Sequence, residues 1–339
     1  MRVGIVGTGA IARLHARAYR NLGFSVRAVT DVNAAAAQHF VAEHGGEVVA
    51  DVDALCARAD VDYVDVCTLP NVRLQIVEIC ATYRKHVQVQ KPIATTVERA
   101  RRMIDVATAA GIVLGVVSQH RFDESSRFLE QAIEAGRLGR ILQCDAYVKW
   151  HRTDEYYGRP GKGSWEVEGG GALINQAIHQ VDLVRWLIGP VAEVWGTWQL
   201  GAAHRIESED NLSALLRFAN GATGVIQAST AFWPGYPERI EIHGTKGTAV
   251  VTGDRLTTWD VQDDSGSTPP IAQQAASGAS DPMAISLEPF ERQFTDFAEA
   301  IRTGRTPAVG GREGLVALEI VEAIYQACRT GERQAVVEQ

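Results

Sequence analysis

The feature that most restricts the fold is an alternation of strand and helix patterns over the first third of the chain, opened by a glycine-rich turn. RVGIVGTGAIARLHARAY (residues 2–19) is a short β-branched run, then glycines, then an amphipathic helix pattern. SVRAVTD follows as a strand ending at Asp31. VDYVDVCTLP and HVQVQKP are further strands, each followed by a helix pattern, and IVLGVVSQHRF is one more strand. Strands alternating with helices of this length imply an α/β, doubly wound parallel sheet. Such sheets bind ligands beyond the carboxyl ends of their strands. That rule selects three segments, GTGAIA, CTLPN and QKP.

The first segment fills a G-x-G-x-x-[GA] frame with Gly7, Gly9 and Ala12. The first glycine permits a tight turn, the second lets a pyrophosphate approach the backbone, and the small third residue lets helix and strand pack closely. The helix-start N–H groups, at Ala10 and Ile11, would then face phosphates. Asp31 lies 31 − 9 = 22 residues past the second glycine, where an acidic side chain accepts hydrogen bonds from an adenosine ribose. It would repel a 2′-phosphate, so NAD is expected over NADP. The competing reading makes Asp31 a helix cap before NAAAAQHF. Thr68, Pro70 and Asn71 of the second segment, and Gln90 and Lys91 of the third, complete the expected cofactor surface. Lys91 ends a strand beside Pro92, where an ammonium can stabilise alkoxide character on a substrate oxygen. The alternative is a solvated surface lysine.

The length of 339 residues argues for two domains, placed at 1–120 and 121–339. A net charge of −8 without a basic block leaves no footprint for nucleic acid or an anionic membrane. No run approaches the ~20 apolar residues of a bilayer span. The N-terminus enters a strand pattern at once, so no leader is expected and the cytoplasm is the expected compartment. Five scattered cysteines without CxxC read as reduced and buried. His151, His204 and His243 lack ligand spacing, so no metal is expected.

In the second half, GGGALINQAIHQVDLVRW (residues 169–186) reads as an apolar helix entered through three glycines, with Asn175 and His179 at i, i+4 on one face. Gly169 to Gly171 read as removing side chains so that a ligand can approach the backbone. A lone histidine is more often structural. The facing reading is a general acid/base, for which an imidazole titrating near ~6.5 is suited. The preceding stretch, RTDEYYGRPGKGSWEVEGGG, is a polar, aromatic loop of about 20 residues. Its Arg152, Tyr156, Tyr157 and Trp165 suit sugar recognition, or else an oligomer contact. Residues 191–261 alternate as consecutive antiparallel strands, with ANGA and HGTKGT as hairpin turns. Their open face suggests a homodimer or homotetramer. Residues 261 to 282 read as a long loop, and two helices ending at glycines close the chain.

Taken in order, GTGAIA, TDVN, VDVCTLPN, HVQVQKPIATT, RF at 121–122 and GGGALINQAIHQVDLVRWLIG resemble the Gfo/Idh/MocA family of oxidoreductases over nearly the whole chain. The resemblance implies an N-terminal Rossmann domain followed by an α+β domain with an open, mainly antiparallel sheet. It also implies a nicotinamide cofactor and a sugar, cyclitol or sugar-nucleotide substrate. The family's E-K-P falls on Gln90, Lys91 and Pro92, with glutamine in place of glutamate. Its D-x-G-x-H falls on Asn175 to His179, with asparagine in place of aspartate. Both changes remove negative charge, so a less basic His179 is expected. Lys91, Asn175 and His179 are then the catalytic candidates, and Gln119, Arg152, Tyr156 and Trp165 join them toward substrate. The implied function is NAD-dependent hydride transfer at a secondary alcohol. A redox-assisted glycosidase and a nucleotide-binding regulator without turnover are the alternatives.

Overall fold

The computed structural model describes residues 1–262, 266, 269–270 and 286–337. The loop expected over 261 to 282 lies almost wholly outside them. Two compact units are present: Met1–Gln119 with Ser286–Leu315, and His120–Ile285 with Val316–Gln339. The second unit begins at His120, and Ser286–Leu315 returns to the first.

The first unit carries β1 (Arg2–Val6), α1 (Ala10–Asn21), β2 (Ser25–Thr30), α2 (Ala34–His44), β3 (Glu47–Val48), α3 (Val52–Cys56), β4 (Tyr63–Val66), α4 (Arg73–Thr82), β5 (His86–Val89), α5 (Val97–Ala110) and β6 (Leu114–Val116). The sheet order is β3-β2-β1-β4-β5-β6, and every pairing is parallel. The order reverses between β1 and β4, which is where doubly wound sheets bind nucleotides. Val3, Ile5, Val64, Val66, Val87 and Val89 are fully buried, as a parallel sheet covered on both faces requires. Asn33, Asp51 and Thr96 cap α2, α3 and α5 through their side chains, each satisfying an N–H that a helix start leaves open. Part of the cover comes from the returning segment. Phe290, Phe294 and Phe297 are buried, and Phe297 lies edge-on to Tyr63 at 5.3 Å. A Cβ on Gly115 would sit 2.7 Å from the Phe297 ring, so that glycine makes room for it.

The second unit contains α6 (Glu124–Glu134), β7 (Ile141–Lys149), α7 (Asp154–Tyr157), α8 (Trp165–Glu168), a π-helical turn (Leu173–Ala177), α9 (Ile178–Ile188), β8 (Val191–Leu200), β9 (Glu209–Phe218), β10 (Thr223–Ser229), β11 (Arg239–Gly244), β12 (Gly247–Thr252) and β13 (Arg255–Val261). The chain closes with α10 (Glu288–Thr303), α11 (Gly311–Thr330) and β14 (Gln334–Ala335). Its sheet runs β13-β12-β11-β7-β10-β9-β8-β14. All pairs are antiparallel except β7 with β10. The ANGA and HGTKGT turns do join β9 to β10 and β11 to β12. The strands are not simply consecutive, however, because β7 inserts between β10 and β11. Trp195, Leu215 and Leu142 are exposed hydrophobics on strands of this sheet, and Trp195 is paired with Leu215 across β8 and β9. No helix among the described residues is long and apolar enough to cross a membrane.

Candidate functional site

In the first unit the glycine turn has the shape its residues predict. Gly7 has φ +88°, and a Cβ there would lie 3.1 Å from the Cys67 backbone. A Cβ on Gly9 would meet nothing within 4 Å, so the space over that residue is open. Helix α1 starts at Ala10 and Ile11 with no side-chain cap and no acidic residue in its first turn. Its leading N–H groups therefore lack the internal partner that α2, α3 and α5 have, and suit an anion. Ala12 is fully buried, the close packing expected of the third small residue. Asp31 follows β2. Its Oδ2 accepts from the Thr8 N–H at 2.7 Å and the Thr8 hydroxyl at 2.8 Å, and its Oδ1 accepts from the Asn33 N–H at 2.8 Å. Asn33, not Asp31, caps α2. Open glycine, uncapped helix start and adjacent carboxylate together fit a dinucleotide.

The other two strand ends are joined by a residue that sequence reasoning missed. Arg73, buried, donates to the Thr68 carbonyl at 2.6 and 3.1 Å and also to the carbonyls of Gln90 and Pro92. Burial pulls its pKa down to about 9. One guanidinium thus fixes CTLPN against QKP. Arg99 donates to the Asn71 carbonyl, and Pro70 opens a short 3-10 turn ending at Val72. Lys91 is half-buried just past β5. Gln90, expected among the cofactor ligands, is turned inward. It is buried, its Nε2 lies 2.8 Å from His15 Nε2, and its Oε1 accepts from the Lys91 N–H at 3.1 Å. Gln119 is buried in a 3-10 turn where the sequence suggests a strand running on.

Among the described residues His15, Asp65 and Cys67 bring three potential metal-ligand atoms within 4.8 Å of one another. Burial, reinforced by Asp65, holds the Cys67 thiol well above its ordinary pKa, and His15 and Asp65 bond each other. The set is suited to a hydrogen-bond network.

In the second unit the segment read as a plain helix begins with the π turn, a distortion frequent at functional sites. A buried anchor holds its start. Glu209 accepts from the Gly171 N–H at 2.9 Å, the Leu173 N–H at 2.8 Å and the Tyr325 hydroxyl at 2.7 Å. A Cβ on Gly171 would lie 1.8 Å from the Glu209 carbonyl oxygen, and one on Gly170 would lie 2.4 Å from the Tyr325 hydroxyl. The glycines therefore admit the protein's own anchor, which corrects their reading as a ligand approach. Burial raises the Glu209 carboxyl to about 7 against these donors. Between residues 171 and 184 only Asn175 and His179 are part-exposed. Asn175 Nδ2 donates to the carbonyls of Gly170 and Gly171 at 3.0 and 3.3 Å. His179 lies edge-on to His120, with ring centroids 4.9 Å apart, and His120 Nδ1 is 2.7 Å from Asp123 Oδ2. Burial pulls His120 down, but the charge and hydrogen bond of Asp123, helped by Glu238 and Asp254, leave it above its ordinary pKa. Asp182, on the same helix, pairs with buried Arg121.

The loop before this segment contains two short helices, α7 and α8. Tyr156 is its centre: Arg152, Arg159 and Lys162 lie 5.6, 5.6 and 5.1 Å from its ring, and Gln176 Nε2 donates to its hydroxyl at 3.1 Å. Arg152 and Tyr156 are thus linked to the turn that bears Asn175. Tyr157 and Trp165 are placed differently. The Tyr157 hydroxyl bonds Thr230 at 2.7 Å. The Trp165 ring packs on Trp198 and Tyr325 at 5.6 and 5.2 Å, with Arg329 at 5.3 Å, so protein occupies its surroundings.

Residues 1–118 match the family model described as oxidoreductase family, NAD-binding Rossmann fold. Residues 126–250 match the GFO/IDH/MocA C-terminal domain. An inositol 2-dehydrogenase from Rhizobium meliloti (strain 1021) is 29% identical over 337 residues, 96% of each chain. A myo-inositol 2-dehydrogenase from Thermotoga maritima is 28% identical, covering 94% of this chain and 93% of that one. The WlbA dehydrogenase from Bordetella pertussis, solved with NADH and UDP-GlcNAcA, superposes with a TM-score of 0.88 at 31% identity, over 100% of this chain and 99% of that one.

Proposed function

This chain belongs to the Gfo/Idh/MocA family of NAD-binding oxidoreductases, and on that premise we propose that it transfers a hydride between nicotinamide and a secondary alcohol of a sugar, cyclitol or sugar derivative. Bound NAD supplies the hydride acceptor. The uncapped start of α1, with Gly7, Gly9, Ala10 and Ile11, takes the pyrophosphate, while Thr68, Pro70 and Asn71 line the second strand end. Asp31 accepts from the adenosine ribose with the lone pairs its three present bonds leave, and disfavours a 2′-phosphate. Lys91 polarises the substrate oxygen, and His179 takes the hydroxyl proton in oxidation and returns it in reduction. Asn175, its amide nitrogen held by two carbonyls, offers its oxygen to a substrate hydroxyl. Gln119, Arg152 and Tyr156 are assigned to substrate. The inositol dehydrogenases among its relatives support a cyclitol or sugar, and the exposed Trp195 and Leu215 support self-association through the second sheet.

The observation that carries the reading is the part-exposure of Asn175 and His179 in an otherwise buried run. A buried structural histidine would share its neighbours' burial. The test is an NAD-reduction screen over inositols, free sugars, sugar acids and glycosides, followed by His179→Ala on the best substrate. Turnover should fall by roughly 10²–10⁴ while the Kd for NAD holds. Unchanged turnover refutes the role of His179. Aglycone release without net NADH would identify a redox-assisted glycosidase, and NAD binding without turnover on any compound a regulator.

A further inference from the structure

The first unit holds a buried polar network that this chemistry does not use. His15, on α1, and Asp65, in β4, are both fully buried. His15 Nδ1 lies 2.7 Å from Asp65 Oδ2, which also accepts from the Tyr19 hydroxyl at 2.8 Å. On its other side His15 Nε2 meets Gln90 Nε2 at 2.8 Å, and Gln90 Oε1 accepts the Lys91 N–H at 3.1 Å. Phe290 and Phe294 lie 5.3 and 4.9 Å from the imidazole.

The direction of every bond follows from one end. A main-chain N–H only donates, so Gln90 presents its oxygen to Lys91. The amide nitrogen, which also only donates, is then the atom facing His15. His15 Nε2 must accept, which leaves the ring proton on Nδ1 to be donated to Asp65. A neutral imidazole of one tautomer and a glutamine at position 90 require each other. A glutamate there would meet Nε2 with an acceptor, and the imidazole would need a second proton.

We propose that Asp65 and His15 are a positioning pair for the strand end that carries Lys91, and that they select glutamine at position 90 by offering it a hydrogen-bond acceptor. Its kinetic consequence, though not its protonation pattern, rests on the reading of Lys91 given above. The other ionisable groups around the imidazole are Tyr19, Tyr63, Cys67 and Arg73. Burial, reinforced by Asp65, holds the tyrosines and the thiol neutral, and Arg73 is engaged with the three carbonyls. The returning segment faces the ring with phenylalanines. The groups left to hold a proton taken up opposite an ionised carboxylate at position 90 are His15 and its partner Asp65.

Histidine-selective ¹⁵N NMR on the full-length protein with NAD bound tests the pair, the His15 signals being assigned by their loss in His15→Gln. Wild-type His15 should show a ring protonated on Nδ1 alone, the tautomer its two partners require. Gln90→Glu should convert it to the doubly protonated form under the same conditions. A wild-type imidazolium, a proton on Nε2, or a signal unmoved by Gln90→Glu overturns the proposal. In the kinetic arm, His15→Leu should lower kcat by roughly 10- to 100-fold, the scale of a small misplacement of reacting groups, with the KM for NAD little changed. His15→Gln, which can accept from Gln90 and donate to Asp65, should recover most of it. If His15→Leu does not fold, the NMR pattern and the recovery in His15→Gln decide. If Lys91→Ala leaves turnover intact, the reading of Lys91 falls and the NMR arm still judges the pair. If Lys91→Ala abolishes turnover and folded His15→Leu does not lower it, the positioning role is refuted.

Discussion

His15 in the first unit and His204 in the second are both buried beside an aspartate, yet their surroundings ask different charges of them. His204 Nδ1 lies 3.0 Å from Asp210 Oδ2, and its Nε2 lies 2.9 Å from the Arg152 carbonyl. Both partners accept, so both ring nitrogens must carry protons. His15 faces one acceptor and one donor, so it carries a single proton. The aspartate does not settle the charge of a buried histidine; the partner of the far nitrogen does. In the second unit the outcome is a cationic latch on the start of the Arg152–Tyr156 loop. In the first it is a neutral spacer under Gln90.

The comparison breaks most visibly when the rings are removed. His204→Leu leaves Asp210 buried without its cation, a loss of roughly 3–5 kcal/mol, whereas His15→Leu removes the two hydrogen bonds of an uncharged ring, worth about 1–3 kcal/mol. Chemical denaturation of both variants measures the gap, and equal losses would contradict the assigned charges. A finer probe is glutamine, which has one donor group and one acceptor, as a neutral imidazole does. It should be accommodated at position 15 within about 1 kcal/mol, but at position 204 it should leave one acceptor unsatisfied at about 1–3 kcal/mol. The smallest effect extends the contrast to carboxylates. Asp210 meets a cation and the N–H groups of Ala202, Ala203 and His204, while its neighbour Glu209 meets only neutral donors and burial prevails. Because Glu209 is raised from 4.5 to about 7, the folded protein holds that proton more tightly than the unfolded chain does. Its contribution to stability is fully present below about pH 4.5 and is lost as pH rises through about 7. Tm measured across that window should slope downward from this term, and Glu209→Gln, though less stable, should flatten it.

Much of the first unit was legible because its signals are local. A glycine turn between strand and helix, strand lengths and an acidic residue at the right distance all survive without tertiary information. The second unit was legible as strands and hairpins, but the insertion of β7 between β10 and β11 depends on a pairing far along the chain. The π turn was hidden for a related reason. Its residues have an ordinary helical pattern, and what anchors their start is Glu209 and Tyr325, distant in sequence. Arg73 gave no signal because its partners are main-chain carbonyls, and His120 gave none because the ring that sets it apart, His179, is brought up by folding. His15 did leave a trace: it sits in the apolar stripe of α1 between Leu14 and Tyr19, where a polar side chain has to find buried partners. Sequence alone could place Asn175 and His179 together, but not reveal that the amide nitrogen of Asn175 is already committed to the backbone.

The return of Phe290, Phe294 and Phe297 to the first unit bears on how the chain matures. A ribosome that has released only the first 120 residues has not yet made the rings that shield His15, Tyr19 and Tyr63. The nucleotide-binding unit stays unfinished until Ser286–Leu315 has been made, and until then the aromatic face it covers is open.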